Sequence, residues 1–233
     1  VPDVSQPIHL HPVATLAERV LLPGDPGRAL ALAQIVLGDD RKMFNHHRGL
    51  WGYTGTAADG APLTIQSTGL GGASAAIVLE ELAALGVRAA VRVGTGRAVT
   101  AGGSIALGEL VAATAVLSDD GASRALGAPA RQELHGPLAA RLREAADHHG
   151  LLASTDLFYQ PEGTMAAGAW AAAGALAVDL ETAALAAVAA RHGVAFGSLL
   201  AIVTVGDERL DDEAIVHAGE AVGRAGAAAL AGG

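Results

Sequence analysis

The 233-residue chain contains no cysteine, which excludes disulfides, thiolate metal sites and a cysteine nucleophile. Aromatic residues make up 3% of it, against 51% for the apolar set as a whole, so the core must be built mainly from Ala, Leu and Val. Basic residues are scarce: 15 Lys and Arg stand against 24 Asp and Glu, for a net charge of -9. That balance argues against nucleic acid, whose backbone needs basic patches. It leaves room for a small anion held by a few arginines. No basic-then-apolar leader opens the chain, and no strongly apolar run reaches the about 20 residues of a membrane span. A cytoplasmic protein that engages neither membrane nor nucleic acid is the expectation. The length fits one large domain or two small ones, and with no linker in the sequence a single domain over residues 1–233 is the expectation.

Glycine-bearing turns close three apolar runs. The first runs from Arg19 to Arg28, R-V-L-L-P-G-D-P-G-R. Val20-Leu21-Leu22 reads as a strand, Pro23, Gly24, Asp25, Pro26 and Gly27 as a turn, and Ala29 to Val36 as a helix. Glycine lets a bound group approach the backbone. A helix start offers unpaired N–H groups and the positive end of a dipole. Arg28 adds a planar fork suited to an oxyanion. The segment is either an anion cradle, most simply for phosphate, or a plain strand-to-helix turn with a surface arginine.

The same strand, turn and helix pattern repeats along the chain, without linker or internal repeat. Trp51 to Ala57 and Leu63 to Ser67 flank Asp59-Gly60, a hairpin signal. Gly69-Leu70-Gly71-Gly72 leads into a helix from about Ser74 to Leu85, with Gly86 as its stop. Ala89 to Val93 reads as a strand closed by the turn Gly94-Thr95-Gly96, and Glu109 to Ala113 as another. Asp119 to His135 reads as a mobile surface loop, and Pro137 to His149 as a helix stopped by Gly150. Ala177 to Leu180 and Ser198 to Val205 are strands, Thr182 to His192 a helix. Asp211 or Asp212 caps a last helix ending near Ala231. Nearly all-apolar strands alternating with helices imply an α/β three-layer sandwich, its central mixed, largely parallel sheet flanked by helices. Ligands in such sheets bind beyond the carboxyl ends of the strands.

Polar residues at those ends are the candidates. Arg92 interrupts Val91-Arg92-Val93; a buried guanidinium needs an ion pair or a bound anion. It pairs with Glu80 or Glu81 of the preceding helix, or it holds the anion with Thr95. Glu181, after Val178-Asp179-Leu180, is either an acceptor for a vicinal diol such as ribose or a first-turn glutamate favoured by the helix dipole. Asp207 follows an apolar strand. It is either a partly buried proton donor of raised pKa or a turn residue. Arg48 on its own reads as a solvated charge. The pairs His46-His47 and His148-His149 lack metal-site spacing, so no metal is expected. Gly69 to Gly72 lacks the dinucleotide fingerprint.

Six motifs then occur in order: Leu22-Pro23-Gly24-Asp25-Pro26-Gly27-Arg28, His47-Arg48-Gly49-Leu50-Trp51-Gly52-Tyr53-Thr54-Gly55, Ser67-Thr68-Gly69-Leu70-Gly71, Arg92-Val93-Gly94-Thr95, Asp156-Leu157-Phe158-Tyr159 and Val178-Asp179-Leu180-Glu181-Thr182-Ala183-Ala184. Together, over essentially the whole chain, they resemble the bacterial nucleoside phosphorylases that include hexameric purine nucleoside phosphorylase and uridine phosphorylase. The resemblance implies phosphorolysis of a nucleoside to free base and ribose 1-phosphate. Inorganic phosphate is the co-substrate, and no cofactor or metal is needed. It implies that Gly24, Arg28, Arg92 and Thr95 hold phosphate, joined by Arg48 from a neighbouring subunit. Glu181 would bind the 2′ and 3′ hydroxyls, with Leu180 against the sugar. His9 would reach the 5′ hydroxyl across the same subunit interface. Phe158 would pack near the base, with Leu70 and Val178 completing the nucleoside pocket, and Asp207 would protonate N7 of a leaving purine. A homo-oligomer follows, a hexamer built as a trimer of dimers.

The two branches are mixed. Ser67 to Gly72 and Asp119-Asp120-Gly121-Ala122-Ser123 are similar to uridine phosphorylase. That branch reads uracil with a Gln-x-Arg pair, whereas here Gln160 is followed by Pro161-Glu162. Asp207 and the His47 to Gly55 run favour purine nucleosides, with uridine as the alternative. Arg97 stands where the family has a second glycine beside the base, Asp179-Leu180 replaces the commoner Glu-Met, and Gly206 replaces a frequent serine. Two other readings stay open: a nucleosidase using water, against which the three arginines count, and a catalytically weak nucleoside-binding relative.

Overall fold

A computed structural model of the protein describes residues 7–99, 105–160 and 166–231. The strands are β1 (Arg19–Leu22), β2 (Lys42–Asn45), β3 (Gly52–Thr56), β4 (Pro62–Gln66), β5 (Ala89–Ala98), β6 (Leu110–Asp119), β7 (Arg131–Glu133), β8 (His148–Thr155), β9 (Ala175–Asp179), β10 (Ala195–Val205) and β11 (Glu208–Arg209). The helices are α1 (Pro26–Val36), α2 (Gly71–Ala84), α3 (Gly121–Ala125), α4 (Pro137–Glu144), α5 (Ala166–Ala172), α6 (Thr182–His192) and α7 (Asp212–Ala231). Local chemistry fixes several ends. Asp25 accepts the N–H of Arg28 at 2.7 Å and Pro26 opens α1. Asp211 accepts the N–H of Ala214 at the start of α7. α6 ends on Gly193 in the left-handed region, φ 66°.

One sheet runs β11-β10-β6-β8-β9-β5-β1-β4-β3-β2, and β10 also pairs directly with β5. The strands β5, β10, β6, β8 and β9 therefore close on themselves as a small barrel, with β1 to β4 extending from β5 as an open wing. Parallel pairing holds β4-β1-β5-β10 and β6-β8-β9. The sheet is mixed, as expected, and its two longest ladders, β5 with β10 and β6 with β8, are parallel. The hairpins β2-β3-β4, β6-β7 and β10-β11 are antiparallel, and so are the closing contacts of β5 with β9 and β6 with β10.

Both faces are buried, which explains the apolar strands. On β1, Val20 and Leu22 join the core under α2 and α6, while Leu21 joins the core under α1 and α7. With few aromatics, the layers close by approach of small residues. A β-carbon on Gly226 of α7 would stand 2.5 Å from Val93 of β5. Among the described residues no helix is long and apolar enough to cross a membrane.

Four expectations change. β5 does not stop at Val93: it runs through Gly94, Thr95 and Gly96 to Ala98, held by β10 and then by β9. Asp119 to His135 is not a loose loop. Asp120 caps α3 by accepting from Ser123, both side chains are buried, and β7 pairs with β6. The helix after Pro137 ends at Glu144, and Gly150 lies inside β8, where a β-carbon would meet Leu176 at 2.6 Å. α2 starts at Gly71 rather than near Ser74.

Candidate active site

The carboxyl ends of β1 and β4 are tied by their backbones: Thr68 donates to the carbonyl of Pro23 at 2.9 Å and Gly69 to that of Gly24 at 3.0 Å. This sets the first two glycine turns side by side. Gly69 and Gly71 both take positive φ (73° and 82°), a conformation that favours glycine, and they thrust Leu70, 86% exposed, outward between them. The two turns open onto a cavity of about 1010 Å³. Gly24, Arg28, Leu70, Arg92, Thr95, Phe158, Val178, Leu180 and Glu181 all line it, so nine of the expected site residues meet in one place.

Arg92 is buried, with its Nε donating to Asp179 at 2.7 Å and its Nη2 to Glu181 at 2.5 Å. Its partners are these two acids, not Glu80 or Glu81. Glu80 instead faces Arg191 and His192, and Glu81 accepts from the backbone of Ile8, His9 and Leu10 and from His9 Nδ1. Asp179 is held in turn by the hydroxyls of Ser154 and Thr182. Glu181 precedes α6, but its carboxylate accepts from the N–H of Gly71 at 2.7 Å rather than capping that helix. Arg92 Nη1 is buried without a partner among the described residues. A buried donor left unmatched is unusual and calls for an acceptor.

Charge is arranged around that donor. Burial works against the cation at Arg92, but Glu181 and Asp179 outweigh it and raise its pKa. Burial raises the pKa of Glu181; Arg92 opposes this and Asp179 adds to it. Burial lowers the pKa of Arg28, and repulsion from Arg92 lowers it further. Among the described residues the Arg28 guanidinium makes no ion pair. Two guanidiniums that repel each other across a cavity wall suit an anion between them.

A family profile described as the Phosphorylase superfamily matches residues 18–231. The chain belongs to that superfamily. It is 34% identical over 210 residues to a "Purine nucleoside phosphorylase DeoD-type" of Caldanaerobacter subterraneus subsp. tengcongensis, covering 85% of this chain and 86% of that one. It is 33% identical over 194 residues to a "Guanosine phosphorylase" of Halorubrum lacusprofundi, covering 79% and 77%. It is 39% identical over 157 residues to a "Uridine phosphorylase" of Thermococcus kodakarensis, covering 64% of this chain and 54% of that one. A crystal structure of uridine phosphorylase from Vibrio fischeri superposes with a TM-score of 0.83 at 26% identity, covering 94% and 93%. The chain is thus an enzyme of the nucleoside phosphorylase family, with the α/β fold and mixed sheet of those structures.

Three expected site residues of this phosphorylase lie off the cavity. His9 is half-buried, with Nδ1 2.7 Å from Glu81. Arg48 is exposed in a short 3-10 turn, with φ at 58°. Asp207 is exposed in the turn joining β10 to β11, not partly buried as its position after an apolar strand implied. The hairpin reverses the chain at Gly206, φ 57°, and carries the next residue outward. Gly206 and Arg209 on either side of Asp207 do line the cavity, which places Asp207 at its rim. Arg97 is exposed on β5 and lines the cavity.

Sequence reasoning missed Arg209, Thr204 and Trp170. Arg209 and Thr204 reach the cavity through the pairing of a two-residue strand. Trp170 sits on α5, buried, donating to Asp119. A tryptophan in an aromatic-poor chain was the available signal for it.

Proposed function

We propose that the protein cleaves purine nucleosides by phosphorolysis. Arg92 carries this reading: a buried guanidinium on the wall of the cavity that Arg28 and Thr95 also line, which fixes Glu181 with one nitrogen and leaves another, Nη1, without a partner among the described residues. Phosphate held there attacks the anomeric carbon. The C–O bond forms, the glycosidic C–N bond breaks, and its electron pair leaves with the base. Asp207 delivers a proton to N7 of the departing purine, so the products are free base and (deoxy)ribose 1-phosphate. Charge separates as the sugar becomes oxocarbenium-like, and an anion below it together with an acid at the base stabilises that separation. This scheme uses no cofactor; phosphate is a co-substrate.

The purine preference rests on Asp207 and on Gln160-Pro161-Glu162, which lacks a uracil-reading arginine. The names of two relatives, a purine and a guanosine phosphorylase, point the same way. Uridine is the second reading, favoured by the Vibrio fischeri superposition. The site is completed in a homo-oligomer, a hexamer of three dimers, through His9 and Arg48 of a neighbouring subunit. Neither lines its own cavity, and the apolar Ile8, Val13, Met43 and Trp51, close to them in sequence, are exposed.

A panel of inosine, guanosine, adenosine and uridine, assayed with and without phosphate, tests reaction and base together. Phosphate-dependent release of base with ribose 1-phosphate is expected, purines first. Equal cleavage without phosphate, giving free ribose, would make the protein a nucleosidase. Binding by calorimetry without turnover would make it a weak binding relative.

A further inference from the structure

The cavity has a second cationic wall. β5 pairs Arg97 with Val178 of β9 on one side and with Thr204 of β10 on the other. Thr204 pairs onward with Arg209 of β11. Val178, Arg97, Thr204 and Arg209 therefore form one row across four strands, and all four line the cavity. Residues paired across strands project to the same face, and strands lie about 4.8 Å apart. The two arginine backbones are thus spaced about 10 Å apart with Thr204 between them. A bulge in β10 between Ile202 and Thr204 sets this register; bulges re-aim side chains in this way.

Neither arginine has an acid partner among the described residues, and both are exposed. The acids that line the cavity are committed elsewhere: Asp25 caps α1, while Asp179 and Glu181 hold Arg92. Arg28 and Arg92 form the wall assigned to phosphate. Arg97 and Arg209 form a separate one, beside Val178 and the Asp207 turn. A guanidinium donates through all its N–H groups and accepts nothing. A ligand edge facing this row must therefore offer acceptors.

We infer that Arg97 and Arg209 select bases whose distal edge carries a ring carbonyl, and reject those carrying an exocyclic amine there. The inference rests on the nucleoside reading of the cavity. The shared chemistry is an oxo group in place of an amino group: hypoxanthine or guanine over adenine among purines, uracil over cytosine among pyrimidines. An amine against the row would set donor against donor and forgo the hydrogen bond that the charged guanidiniums give an oxo group, a difference of about tenfold.

The test pairs inosine with adenosine and uridine with cytidine, measuring kcat/KM with phosphate for the wild type, Arg97→Ala and Arg209→Ala. In whichever ring class is turned over, the oxo member is favoured about tenfold. Arg97→Ala should bring that ratio below about threefold, and Arg209→Ala should lower it in the same direction. A ratio is indifferent to how much of a variant is folded. The inference is overturned if the amino member is used as well as the oxo member, or if neither variant moves the ratio. If nothing is turned over, calorimetry with hypoxanthine, adenine, uracil and cytosine decides. Oxo-selective binding that Arg97→Ala abolishes upholds the inference while the phosphorolysis reading falls. Binding without that selectivity, or none, overturns the inference.

Discussion

Gly94 leaves the space that the Arg92 guanidinium occupies: a β-carbon there would stand 2.7 Å from Cζ and 2.9 Å from Leu200. Both neighbours are buried, so neither can yield freely. Gly94→Ala should therefore push Arg92 off Asp179 and Glu181. We expect a loss of about 1–3 kcal/mol in unfolding free energy, as for other overpacked sites, together with a rise in KM for phosphate. Chemical denaturation and phosphate titration check the two effects. A variant as stable as wild type with unchanged KM would mean that Arg92 does not depend on this gap.

Arg28 and Arg92 are assigned to the same anion, yet their removal should differ in its effect on stability. Arg92→Met leaves two buried carboxylates unpaired and should cost about 3–5 kcal/mol. Arg28 has no acid partner among the described residues and is repelled by Arg92. Arg28→Met should thus change stability by less than about 1 kcal/mol while raising KM for phosphate. Phosphate should raise the melting temperature of the wild type, as a ligand of the native state does, and raise it much less in Arg28→Met.

The Leu22 to Arg28 turn was legible in sequence because its determinants are local: a strand end, a capping Asp25, Pro26 and Arg28 within one turn of helix. The six motifs likewise led to the fold and to nine cavity residues. The partners of Arg92 were not legible by proximity, since Asp179 and Glu181 lie 87 and 89 residues away. β8 was missed because His148-His149-Gly150 is polar and broken by glycine; it becomes a strand only through β6 and β9. The row from Val178 to Arg209 was hidden for the same reason, being a product of register.

Glu181 supplies a pH dependence. Burial raises its pKa above the ordinary glutamate value, with Asp179 adding to the effect and Arg92 opposing it. A folded pKa above the unfolded one means that this group's stabilising contribution is largest below the unfolded pKa and declines as pH rises through the folded one. Activity runs the other way, because the diol needs an ionised acceptor. kcat/KM should therefore fall on the acid side at a pH above the ordinary 4.5. Glu181→Gln should remove that limb and lower the plateau at least about tenfold. An acid limb at or below 4.5, or one surviving in Glu181→Gln, would assign the titration to another group.

Arg19 and Asp59 give a second pH effect, far from the cavity. Arg19 donates to both oxygens of Asp59 and to the carbonyls of Ala61, Pro62 and Leu230, fastening the β3-β4 hairpin to the end of α7. Those donors lower the Asp59 pKa from 3.8 to about 2. A depressed folded pKa contributes stability above the unfolded value, lost as pH falls toward about 2. Carboxyl NMR should place the Asp59 midpoint near 2 in the wild type and clearly higher, toward the ordinary carboxylate range, in Arg19→Met. Acid unfolding of that variant should lose the corresponding part of its pH dependence. Equal midpoints in the two proteins would show that the pair does not persist in solution.

Asp207 carries the purine reading of the leaving group, and its exposure at the cavity rim makes the test informative. If it donates the proton to N7, Asp207→Asn removes the acid but keeps the shape. kcat on inosine should then fall by about 10²–10⁴, the usual range for a general acid, with KM changing little. A nucleoside with a base that leaves without protonation should lose far less. Because the side chain is exposed, its removal should leave the melting temperature within about 2 °C. An inosine rate equal to wild type would take Asp207 out of the mechanism.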